Sequence, residues 1–89
     1  MTDLHRPHWV YRLFAEDGSL LYVGMTHKPA RRMTEWRSRA KVDPTHWFHG
    51  TQRASWRWYA NKVQAMGAER RAVQSEHPAH NVLLREAAQ

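Results

Sequence analysis

The amino-acid sequence predicts an α+β fold, a small three-stranded and mainly antiparallel sheet flanked by helices in the order β-β-α-β-α. Three observations predict it. Two short runs of aromatic and branched residues flank an Asp17-Gly18 pair, a later run alternates in character, and two stretches carry helix start or stop signals.

Taken in order, residues 1–8 are polar and read as a lead-in. WVYRLF at 9–14 and SLLYVG at 19–24 have strand composition. Asp17-Gly18 between them is a hairpin signal, because a type I′ turn needs positive φ at both central positions. KPARRMTEWRSR at 28–39 reads as a helix with Pro29 at its first position, where the missing N–H costs nothing. Residues 40–52 lack a period and read as a loop. RASWRWY at 53–59 sets Ala54, Trp56 and Trp58 against Ser55, Arg57 and Tyr59, a strand pattern. Trp47-Phe48 in the loop, with Trp56 and Trp58 on this strand, read as rings that could stack on exposed bases; core packing is the expected fate of Trp56 and Trp58, and for the loop pair both readings stand open. Residues 61–77 form a second helix, with Asn61 and Gln64 placed as in a capping box and Pro78 just past the end. NVLL at 81–84 reads as a short strand or packed tail, and 85–89 as a C-terminal tail. Residues 9–84 make one domain.

The 89 residues carry no cysteine, which excludes a disulfide framework, a thiolate zinc site and a catalytic thiol. No apolar stretch approaches the roughly 20 residues that span a bilayer, and MTDLHRPH lacks the features of a signal peptide. No membrane partner is expected, and the expected setting is cytoplasmic. Fourteen basic residues against eight acidic ones give a net charge of +6, and eleven of the fourteen are arginine. Guanidinium forks match phosphate oxygens, and such a basic excess on a small domain points to a polyanion.

With the turn centred on Asp17-Gly18, Tyr11 faces Gly24 and Leu13 faces Tyr22. Alternation then puts both phenols on one face of the hairpin as diagonal neighbours, about 7–8 Å apart, and Gly24 leaves room above Tyr11. On the hairpin alone they read as ordinary strand aromatics with wet hydroxyls. In the second helix Ala65, Met66, Ala72 and Val73 form a narrow stripe with Glu69 in its middle and Glu76 farther along the same arc. A carboxylate there must be paired, protonated or bound to a cation. A salt bridge to arginine and a metal or catalytic role both satisfy that demand. Arg31 and Arg32 fall in the first turn of the other helix, where free N–H groups already attract anions. Lys28, Arg31, Arg37, Arg39 and Lys41 form a basic face that suits a nucleic-acid backbone or simply solvent. His46/His49 and His77/His80 are spaced three apart but lack the ligand frame of a zinc site.

Together, Tyr11 in WVY, Tyr22-Val23-Gly24, PARR, and Glu69, Pro78 and Asn81 in the spacing E-x8-P-x2-N resemble the GIY-YIG nuclease superfamily, over about residues 9–84. The resemblance implies metal-dependent cleavage of phosphodiesters in DNA, branched and nicked forms included. A homodimer or a protein partner would supply targeting. It implies that Tyr11 and Tyr22 border the attacking water, with Tyr11 as general base or base assistant, and that Arg32 neutralises charge on the scissile phosphate. Glu69 would hold one Mg²⁺ or Mn²⁺, and Asn81 would support the site without reacting. The chain departs from the family pattern at Trp9 and Val10, where glycine and isoleucine are usual. It departs again at Trp36, four residues after Arg32, where members carry histidine or tyrosine. Indole N–H only donates, so Trp36 cannot take a proton. A catalytically impaired nucleic-acid-binding module is therefore the alternative expectation.

Overall fold

The hairpin is built as the sequence predicts, with a different turn. In the computed structural model, which describes residues 5–81, β1 (His8–Ala15) pairs antiparallel with β2 (Leu20–Thr26). Gly18 N–H donates to Ala15 O at 3.0 Å, and within this loop only Gly18 has positive φ, at 86°. A type I′ turn would need a second positive φ. The loop is therefore one residue longer than a two-residue turn, and Phe14 pairs with Leu20. A shift between Leu13 and Phe14 restores the register, so Tyr11 faces Gly24 and Leu13 faces Tyr22 as expected. Bulges of this kind insert one residue without changing which face the strand buries farther on.

After β2, Thr26 Oγ1 accepts from Lys28 N–H at 3.0 Å, and α1 (Pro29–Lys41) starts with Pro29 in its first turn. The helix runs two residues beyond the expected end. The predicted loop contains a 3-10 turn at Trp47–Gly50, and β3 (Thr51–Tyr59) begins two residues early. α2 (Lys62–Glu76) is capped by Asn61 Oδ1, which accepts from Gln64 N–H at 3.0 Å. It ends where His77 turns left-handed at φ 53°, directly before the buried Pro78.

The sheet order is β2-β1-β3, all antiparallel, giving the predicted α+β architecture. Its two faces bury different sets. Val10 and Val23 pack on Ala65, Ala72 and Val73 of α2, whose small side chains let the helix lie close. On the other face Tyr11 and Leu13 pack on Trp36 of α1, with Tyr22, Met33, Trp47 and Phe48 around them. Thus Trp47 and Phe48 close the phenol face; Trp47 stacks on Tyr22 at 5.4 Å and on His80 at 4.9 Å. Trp56 and Trp58 are not core residues. They are 39% and 56% exposed, because β3 is an edge strand that the helices barely cover. Met66, expected on the buried stripe, is exposed too. Residues 82–84 and the tail 85–89, together with residues 1–4, lie outside the described residues; His8, placed in the lead-in, is a buried strand residue. Among the described residues no helix is long and apolar enough to cross a membrane.

Candidate active site

The site grows from the close approach of Tyr11 to Gly24. A Cβ at Gly24 would collide with Tyr11 Cζ and Oη and come within 2.7 Å of Cε1, so the ring lies across the glycine toward β2. That brings the two phenol rings to 6.1 Å between centroids, tilted by 35°. Behind them Trp36 Nε1 donates to Tyr11 Oη at 2.9 Å. Tyr11 has no exposed surface, so this donor satisfies a hydroxyl that would otherwise be orphaned.

Four elements contribute charge or polarity here: Tyr11 from β1, Tyr22 from β2, Arg32 from α1 and Glu69 from α2. Burial raises the Tyr11 phenol above its ordinary value, while Trp36 and the nearby Arg32 guanidinium pull it back and Glu69 pushes it up. Burial, then Tyr11 and Glu69, push Tyr22 up to about 12. Burial also raises the Glu69 carboxyl, opposed by Arg32 and Arg70. The mutual influence puts Glu69 within electrostatic reach of both phenols and of Arg32. Among the described residues Glu69 has no ion pair. The ion pair on this helix belongs to Glu76, which holds Arg12 at 2.7 and 2.8 Å.

Arg32 is itself positioned by Glu35, whose Oε1 accepts from Arg32 Nε at 3.0 Å while Oε2 lies 3.5 Å from Arg31 Nε. Glu35 was not singled out in the sequence, although its spacing of three and four residues from the two arginines is a helix-face signal. Asn81 clamps the outer edge of β2: Oδ1 accepts from Val23 N–H at 2.9 Å and Nδ2 donates to Val23 O at 2.8 Å. Val23 sits between Tyr22 and Gly24, so this clamp fixes the strand segment carrying the site. Beside Arg32 opens a cavity of about 290 Å³ lined by Lys28, Arg31, Arg32 and Lys62, with His8 and His27. Lys28 and Arg31 thus converge on Arg32. Arg37, Arg39 and Lys41 do not line it and stand exposed along α1, with Arg39 over the Trp36 ring at 5.0 Å.

Two phenols, an arginine and a carboxylate thus gather on the antiparallel β2-β1-β3 frame of a small α+β domain. A family model of the GIY-YIG catalytic domain matches residues 7–81, nearly the whole chain, and the protein belongs to that nuclease family. Neither comparison with curated proteins nor comparison with solved structures gives a match.

Proposed function

We propose that the protein is a metal-dependent DNA endonuclease or nickase, with Tyr22, Arg32 and Glu69 at the substrate and Tyr11 behind them. The observation that supports it most is the match of the GIY-YIG catalytic domain over residues 7–81, to which the two phenols 6.1 Å apart and their electrostatic coupling to Arg32 and Glu69 lend weight.

The donor chemistry at Glu69 fits a single Mg²⁺ or Mn²⁺. Its carboxylate is half-buried and has no ion pair among the described residues, and its charge is disfavoured by burial. Among the described residues no group of three or more His, Cys, Asp or Glu side chains could hold an ion, so Glu69 would be the one protein carboxylate on a cation that keeps its remaining ligands as water. When bound, such an ion supplies positive charge to the phosphate and acidifies water. Arg32, oriented by Glu35, takes a phosphate oxygen and offsets the charge that develops there. Tyr22, held protonated by a pKa pushed up to about 12, orients the attacking water through its hydroxyl without removing the water's proton, which passes to solvent. Tyr11 has no exposed surface and accepts from Trp36. It acts as an assistant that steadies Arg32 and Tyr22, so the base-assistant role suits it better than direct general base. Asn81 holds the β2 segment in place.

Incubation with supercoiled, branched and flap DNA tests this reading. Cleavage is expected only with Mg²⁺ or Mn²⁺, and is expected to vanish in Glu69→Gln and Arg32→Ala while circular dichroism stays unchanged. Absence of cleavage on every substrate with either ion overturns it.

The complete burial of Tyr11 beside a donor-only Trp36 favours a second reading, a binding module that retains the fold without cutting. That protein would bind DNA with strong salt dependence, indifferent to metal and to Glu69→Gln. Trp36→His, which introduces a proton acceptor, would then be the variant that gains cleavage.

A further inference from the structure

Trp56 and Trp58 are large indoles left partly open on one strand, and packing among the described residues covers only part of them. Trp56 pairs across from Tyr11 and Trp58 from Trp9, so alternation puts both on the phenol face. The Trp56 ring lies 5.1 Å from the Tyr11 ring, tilted by 35°. Trp36, Met33, Trp47 and Phe48 pack on the Tyr11, Leu13 and Tyr22 part of this face. The β3 part is left as an aromatic surface running outward from the site.

We propose that Trp56 and Trp58 form a stacking shelf for an unpaired nucleobase, so that the substrate carries at least one unpaired nucleotide next to the cleaved phosphate. The inference rests on the nuclease reading for where the phosphate lies. Three features single out this occupant. The shelf is continuous with Tyr11, whose ring lies 5.1 Å from Trp56, and the Arg32 guanidinium stands within electrostatic reach of the Tyr11 phenol while also lining the cavity with Lys28, Arg31 and Lys62. A nucleotide has this same pairing of a flat apolar ring with a phosphate. The net charge of +6 favours a polyanion. Bases inside a duplex are stacked on both faces and cannot offer one to an indole, so the occupant must be unpaired. A protein strand added to the β3 edge is a poorer occupant, because Arg53 and Arg57 on that strand are the charges that discourage edge-to-edge pairing.

The test uses the full chain carrying Glu69→Gln, without metal, and labelled DNA as a single strand, a perfect duplex and the same duplex with a one-nucleotide flap. Binding is read by anisotropy at fixed salt, and stacking by quenching of tryptophan emission. Tighter binding of single strand and flap than of duplex is expected. Adding Trp58→Ala should weaken the unpaired substrates by roughly tenfold, the scale of one stacked base, and leave the duplex unchanged. Trp58→Phe should retain most of the affinity. Equal affinity for all three DNAs, or an equal loss on all three, overturns the shelf. So does a Trp58→Ala change that dissolves a dimer in sedimentation without altering DNA binding, which assigns the surface to protein. Selectivity for unpaired DNA without metal-dependent cutting by the unmodified chain removes the nuclease reading and keeps the shelf. Cutting without that selectivity does the reverse.

Discussion

Tyr11 and Trp36 each bury one polar group for which the other is the partner, so removing one side costs more than removing both. Tyr11→Phe strands the indole N–H and Trp36→Phe strands the phenol oxygen; each is expected to destabilise by about 1–3 kcal/mol. The double variant leaves no orphan. Denaturant titrations of the four proteins should give a favourable coupling of about 1 kcal/mol, and strict additivity would exclude the bond as a stabilising contact. Glu69 presents the opposite case. Its carboxyl is raised by burial, so at neutral pH the folded state carries a charge that it disfavours. Glu69→Gln is expected to melt at a higher temperature than the unmodified chain at pH 7 while losing cleavage, the trade-off found where a site is built at the expense of stability. Mn²⁺ should raise the melting temperature of the unmodified chain and not of Glu69→Gln. Equal shifts in both would place the ion elsewhere.

Among the elements, the β1–β2 hairpin was the most legible in the sequence. Alternation and the turn residues located the Tyr11–Gly24 and Leu13–Tyr22 pairs, because one buried face leaves little freedom for slippage. The turn was misjudged for a local reason: Asp17-Gly18 suits both a two-residue turn and a longer loop with glycine in its left-handed position, and the compensating shift is silent in the residue pattern. Gly24 is where the hairpin and the site meet. Gly24→Ala leaves strand propensity intact but pushes a methyl into the Tyr11 ring, which has Trp36 behind it. The expected cost is about 1–3 kcal/mol, the usual effect of overpacking, together with loss of cleavage as Tyr11 leaves Trp36. A melting temperature and an activity equal to the parent's would show that the close approach is dispensable. β3 was the least legible element. Its alternation is the same whether a helix covers the strand or not, so Trp56 and Trp58 read as core until the sheet order set them on an edge.

Across the whole molecule, what the sequence could not disclose was the contacts between distant segments. The Trp36–Tyr11 bond spans 25 positions and the Arg12–Glu76 pair spans 64; no periodicity announces either. These contacts govern how the molecule responds to pH. Glu76 is lowered by its hydrogen bond to Arg12, so its contribution is present above the ordinary carboxylate value of about 4.5 and fades as pH falls through its folded value. Being partly exposed to solvent that screens it, the pair shifts acid stability only slightly. Tyr22 sets the alkaline side. Its phenol moves from 10.0 unfolded to about 12 folded, so the folded chain keeps a proton that the unfolded chain releases. Stability from the buried phenol is therefore complete below pH 10 and is lost as pH rises toward 12. Thermal melts from pH 8 to pH 12 should fall steeply over the last two pH units, in step with tyrosinate absorbance. Tyr22→Phe should reduce that fall, with the likewise raised Tyr11 phenol retaining part of it, while leaving the melt at pH 8 nearly unchanged. A parent and variant that decline in parallel would mean that Tyr22 ionises freely in the folded protein. A freely ionising Tyr22 would also undo its assignment as a fixed, protonated hydroxyl that orients the attacking water.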